Sequence, residues 1–202
     1  MRTDKRTKNR ASDLEFHPVT TERWQDLEKL FGPEGADGGC WCMWFRLRRR
    51  DFDRNSGEQN KQAMKGIVDS GEVPGLLAYA GGEPVGWVSL SPRDKYPHLE
   101  HSRTLKRVDD QPVWSVVCFV VDKRLRGQGL MTKLLSAAID YARERGAKIV
   151  EAYPVELKGG LTGYSGYTGI ASTFRKAGFV EVARRSERQP VMRYFIEKPK
   201  TP

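Results

Sequence analysis

Val113–Ala142 reads VWSVVCFVVDKRLRGQGLMTKLLSAAIDYA, and its three parts set the frame for the rest of the chain. Trp114 to Val121 is an almost unbroken β-branched and aromatic run, the pattern of a buried strand. Asp122-Lys123-Arg124-Leu125-Arg126-Gly127-Gln128-Gly129 is a short basic turn carrying two glycines. Met131, Leu134, Leu135, Ala138, Ile139 and Ala142 then recur at helical spacing. A buried strand therefore runs through a tight turn onto a helix N-terminus.

Such a turn suits an anion. The first amides of a helix have no intrahelical partner, and the helix dipole adds partial positive charge there. Gly127 and Gly129 carry no Cβ, so a phosphate can approach the main chain closely. Arg124 and Arg126 bring further donors. The segment reads as a pyrophosphate cradle. It is not a Walker loop, because no Gly-Lys-Ser/Thr follows, and it lacks the third glycine of the dinucleotide fingerprint.

Arg124, Gly127 and Gly129, following an apolar strand and followed by aliphatic residues, resemble the acetyl-CoA motif of the GNAT N-acetyltransferase superfamily. Phe174-Arg175-Lys176-Ala177-Gly178-Phe179-Val180-Glu181-Val182 is similar to that family's late helix-turn-strand, and Gly81-Gly82-Glu83-Pro84-Val85-Gly86-Trp87-Val88 to its early hairpin. The resemblance covers roughly Leu14 to Glu197. It implies an α/β GNAT fold: a mixed, mostly antiparallel twisted sheet of six to seven strands flanked by about four helices.

The same resemblance implies acetyl-CoA as cofactor. Its pyrophosphate is expected on the amides of Arg126, Gly127, Gln128, Gly129, Leu130 and Met131. Its pantetheine arm is expected along Cys118, Phe119, Val120 and Val121, with an amide near Cys118 or Phe119 polarising the thioester carbonyl. Phe174 is expected beside the thiol, and Arg124 or Lys176 at the ribose phosphate. A homodimer is implied by the same analogy.

The catalytic side chains depart from the family pattern. Many members place a proton-donating tyrosine four residues before the glycine of the Gly-Phe pair; here that position is Phe174. Others carry a glutamate on the central strand, whereas Trp114 to Val121 contains no carboxylate. Three readings stay open. Tyr164 or Tyr167 substitutes as the acid; Glu151 or Glu156 acts as a base through water; or no dedicated acid is needed. The last rests on a thiol of pKa about 8–9 being a tolerable leaving group as thiolate.

Elsewhere, 202 residues with 38% hydrophobic content suffice for one domain and a sizeable core. Residues 1–12 read as a disordered basic tail, and 13–202 as a single domain. No long apolar run signals a membrane span or a leader, so a cytoplasmic protein without membrane partners is expected. The net charge is +9, concentrated at Arg2–Arg10, Arg46–Arg50 and Arg184–Arg188. No nucleic-acid module accompanies that charge, and no nucleic-acid partner is expected. Cys40 and Cys42 with His98 and His101 do not have zinc-site spacing, so no metal is expected. Cys118, in an apolar strand without a base, reads as a small hydrophobe rather than a nucleophile.

Cys40-Trp41-Cys42-Met43-Trp44-Phe45 is the densest aromatic cluster. It reads either as core or as an acceptor pocket formed by Trp41, Trp44 and Phe45. The expected function is acetyl transfer to the primary amine of a small molecule. A protein or peptide acceptor, or a non-catalytic acyl-CoA binder, are the alternatives.

Overall fold

The computed structural model describes residues 14–55, 57–157 and 166–197. The expected basic tail, and Tyr164, lie outside them. Among the described residues seven strands form one sheet: β1 (Leu14–Pro18), β2 (Gly75–Ala80), β3 (Glu83–Pro92), β4 (Trp114–Val121), β5 (Ile149–Ala152), β6 (Val180–Arg184) and β7 (Pro190–Phe195). Their spatial order is β1-β2-β3-β4-β5-β7-β6. Every neighbouring pair is antiparallel except β4 and β5.

Six α-helices accompany the sheet: α1 (Trp24–Phe31), α2 (Arg49–Arg54), α3 (Gly57–Asp69), α4 (Pro97–His101), α5 (Leu130–Glu144) and α6 (Ala171–Lys176). This is the mixed sheet that the resemblance implies. The helices exceed the expected four because α2 and α4 are single short turns, too brief to show a period in sequence. No helix among the described residues is long and apolar enough to cross a membrane.

The sheet is covered on both faces, which is why its central strands read as continuous apolar runs. Along β2, Leu76, Ala78 and Ala80 join the cluster under α5, while Leu77 and Tyr79 join the cluster with α1 and α3. Leu134 and Leu135 of α5 are fully buried, each contributing about 1.5–3 kcal/mol. Gly86 on β3 lets the first turns of α5 sit close. A Cβ there would meet Leu134 Cδ1 at 3.0 Å and Leu130 Cδ2 at 3.2 Å.

Two irregularities of β4 shape the surface around it. It pairs with β5 only at Trp114, Ser115 and Val116, after which the two strands part. Its register with β3 also shifts, from Leu90 opposite Val116 to Ser89 opposite Cys118, leaving Val117 as the extra residue of a bulge. Buried charge crosses the short β4–β5 seam. Glu151 accepts hydrogen bonds from Arg93 Nη1 (2.7 Å), Arg193 Nε (2.8 Å) and the Tyr153 hydroxyl (2.7 Å). The Tyr153 hydroxyl also contacts Ser115 Oγ at 2.9 Å.

Candidate functional site

The turn after β4 is held open by its own side chains. The Asp122 carboxylate accepts the Arg124 amide at 2.9 Å and pairs with the Arg124 guanidinium at 2.5 Å. That cation, first through its hydrogen bond, holds Asp122 below the usual carboxylate range. The Gln128 side-chain amide donates to the Arg124 carbonyl at 2.9 Å. Gly127 and Gly129 have φ of 74° and 79°, in the left-handed region that glycine tolerates, and a Cβ at either would point into open space. Gly129 caps α5, so the first amides of that helix have no intrahelical acceptor.

An anion fits this concavity of main-chain donors. The expected positions Arg126, Gly127, Gln128 and Gly129 are all exposed around it, while Leu130 is buried and Met131 partly buried beneath. Arg124 differs from expectation: its guanidinium is already committed to Asp122. Lys176 ends α6 and is exposed.

Beyond Val116 the free edge of β4 has no strand partner among the described residues. The Phe119 amide, expected to be open, instead donates to the Tyr167 carbonyl at 2.6 Å. The cause is local: where β5 diverges, the returning segment at Tyr167 comes alongside β4 and satisfies the exposed donor. Phe174, expected beside a thiol, is 0% exposed and sits edge-on to Phe119 and Phe179. It is core under α5, not a pocket residue.

On the opposite face of β4 lies a cavity of about 720 Å³. The bulge turns both Val117 and Cys118 toward it, and Val120 joins them. Trp44, Phe45, Phe52 and His98 form an aromatic wall. Trp44 packs on His98 at 4.9 Å and on Phe52 at 5.1 Å, and Arg49 lies over Trp44 at 4.7 Å. Burial, then Arg49 and His101, pushes the His98 pKa down. Ser102, Thr104 and Leu105 close another side.

The connection carrying those three residues, a long polar loop in sequence, is pinned to the body. Arg93 donates to the Leu105 carbonyl at 2.8 Å, Arg185 to that of Lys106 at 2.8 Å, and Arg193 to Asp109 at 2.6 Å.

Of the three aromatics expected at an acceptor pocket, Trp44 and Phe45 reach the cavity and Trp41 does not. Trp41 is 4% exposed, stacked on Trp24 at 6.0 Å and tilted against Phe31 at 5.4 Å. The cluster is therefore divided, with Trp41 in the core and Trp44 and Phe45 on the cavity wall.

Among the described candidate acids and bases, Tyr167 alone lines the cavity. Burial, then the neighbouring Asp37 and Cys118, pushes the pKa of its hydroxyl up. Glu151 is 0% exposed and fully engaged by two arginines and a tyrosine, so it has no route to a substrate. Glu156 is bound by Arg175 and Arg184, and the Arg175 hydrogen bond leads in lowering its pKa to about 2. A carboxylate so held is a poor base. Asp37 was missed by sequence reasoning, although a carboxylate inside the glycine-rich Gly35–Gly39 loop was a usable signal.

Comparison with known proteins agrees with this architecture. Residues 41–157, more than half of the chain, match the model of the acetyltransferase (GNAT) family. The chain is 29% identical over 119 residues to an uncharacterised N-acetyltransferase of Methanocaldococcus jannaschii. That match takes in 57% of this chain and 48% of the relative, so the chain spans about half of its length.

Among solved structures, an acetyltransferase of the GNAT family from Streptococcus agalactiae superposes with a TM-score of 0.56 at 9% identity. The superposition covers 93% of this chain and 98% of that one. The PaiA N-acetyltransferase from Thermoplasma acidophilum, solved in complex with coenzyme A, superposes with a TM-score of 0.53 at 12% identity. It covers 91% of this chain and 99% of that one. At these identities the likeness is one of fold.

Proposed function

This chain belongs to the acetyltransferase (GNAT) family, and from that membership we propose that it transfers the acetyl group of acetyl-CoA to the primary amine of a small molecule with an apolar or aromatic body. The observation that carries this reading is the cavity. Among the described residues it is walled by Trp44, Phe45, Phe52 and Leu105, carries one carboxylate, Asp37, and meets β4 at the bulge. An aromatic pocket that carries a carboxylate suits a compact cationic acceptor.

Bound acetyl-CoA supplies an activated thioester whose thiol is a tolerable leaving group. The glycine turn and the amides opening α5 would hold its pyrophosphate. Asp37 draws in the acceptor ammonium and shares the cavity wall with Tyr167. The amine must lose a proton before it attacks, and the departing sulfur must gain one. The Asp37–Tyr167 pair offers an acceptor and a donor at one place. Packing by Trp44 and Phe45 orients the acceptor body, and orientation alone supplies several kcal/mol.

The test is release of free thiol from acetyl-CoA across a panel of aromatic and aliphatic primary amines and basic peptides. Turnover of an arylalkyl amine, lowered in Tyr167→Phe and Asp37→Asn, is the expected result. Acetyl-CoA binding without thiol release for any acceptor would make the chain a binder. Faster turnover of a peptide would move the acceptor class.

A further inference from the structure

The cavity also holds all three cysteines of the chain, Cys40, Cys42 and Cys118, and each is a free thiol. Cys42 and Cys118 lie 76 positions apart in sequence, yet Cys42 Sγ donates to Cys118 Sγ at 3.2 Å. Two independent departures from regular backbone create that contact. In strict strand alternation Cys118 would share the α5 face with Val116; the bulge at Val117 is what turns it to the cavity. On the facing loop, Trp41 and Cys42 both have positive φ, 46° and 54°. That is a strained conformation for residues with a Cβ, and it persists only where the surroundings impose it.

We propose that Cys42 and Cys118 are a reversible oxidative modification site, closing into a disulfide across the cavity floor when a hydroperoxide enters. Cys118, the more exposed of the two, reacts first. Its thiolate attacks a peroxide oxygen, the O–O bond breaks, and hydroxide leaves (water or an alcohol once protonated), so that Cys118 becomes a sulfenic acid.

The Cys42 sulfur then attacks the Cys118 sulfur. The S–O bond breaks, the S–S bond forms, and the departing hydroxide takes the Cys42 proton as water. Two thiols lose two electrons and two protons, and the peroxide is reduced. Closing from 3.2 Å to a bond of about 2.05 Å needs an approach of roughly 1 Å. Cys40 is the excluded third sulfur, since it faces the amides of Trp44, Cys42 and Met43 in its own turn. This chemistry stands apart from the acetyl-transfer reading and does not depend on it.

The experiment treats the purified full chain with dilute hydrogen peroxide, removes the oxidant with catalase, denatures, and counts alkylatable thiols by intact mass. The expected result is a fall from three alkylated cysteines to one. Dithiothreitol should restore all three, and a non-reduced peptide map should join the Cys42 and Cys118 peptides. Cys40→Ser should still lose both remaining thiols, and Cys118→Ser should keep both. Should Cys42→Ala fail to fold, the Cys40→Ser and Cys118→Ser pair still decides the matter. A bond mapped to Cys40, a link between two chains, or over-oxidation of Cys118 with Cys42 still alkylatable would each overturn the proposal.

Discussion

The proposed anion cradle is one contiguous turn, Asp122–Gly129, that would work through main-chain amides. The cavity beside it borrows side chains from separated segments between Ala36 and Gln189. A main-chain site depends on φ and on having no Cβ in the way, so it tolerates side-chain change. A side-chain site depends on the packing of every segment that contributes to it, and each substitution is felt. On the proposed function, the cradle would hold the cofactor and the cavity would choose the acceptor.

The largest effect that would break this division lies in the aromatic cluster. Trp41→Ala should destabilise the chain by about 3–5 kcal/mol, read by denaturant unfolding, because the side chain is core between Trp24 and Phe31. If only turnover fell, Trp41 would belong to the cavity. Gly129→Val should weaken acetyl-CoA binding by about 100-fold, roughly 3 kcal/mol, in calorimetric titration, since it strains φ and fills the approach.

Asp37→Asn should lower kcat/KM for amines by about 30-fold, roughly 2 kcal/mol, with acetyl-CoA affinity unchanged. Arg124→Ala should alter that affinity by less than about 3-fold, under 1 kcal/mol, because Asp122 already holds the guanidinium. A large loss there would return the cradle's work to side chains.

The smallest expected effect is a pH dependence of stability from the cavity wall. The folded-state pKa of His98 is depressed below 6.5, so around that pH the unfolded chain binds more protons than the folded one. Stability from this group is complete above about pH 6.5 and is lost as pH falls through 6.5 towards the depressed folded value. His98→Gln should flatten that limb of a thermal-midpoint profile, and an unchanged limb would assign it to other groups.

Legibility in the sequence divides along the same line. The β4–turn–α5 unit could be read because strand run, glycine spacing and helical stripe are all local signals. The flanking hairpin was visible for the same reason, its Gly81-Gly82 turn falling between β2 and β3. The cavity was only half visible. Trp41 and Trp44 lie three positions apart in one aromatic run, and what separates their fates is α1, whose Trp24 and Phe31 claim Trp41. Glu151 looked available as a base acting through water. Its engagement by Arg93 and Arg193 comes from residues 58 and 42 positions away. The bulge at Val117, which sets what Cys118 touches, leaves no trace in an apolar run.

The three-residue pairing of β4 with β5 has a mechanical consequence. It makes the sheet two panels, β1–β4 and β5–β7–β6, joined along a short hinge and stitched on one side by the Glu151 ion network. Panels joined so narrowly should exchange amide hydrogens as separate cooperative units, with the slowest protons in β2–β4 and faster ones in β6. A ligand lodged where the strands part acts as a wedge bearing on both panels. Its binding energy then appears as slowed exchange on each side of the hinge, far from any atom it touches.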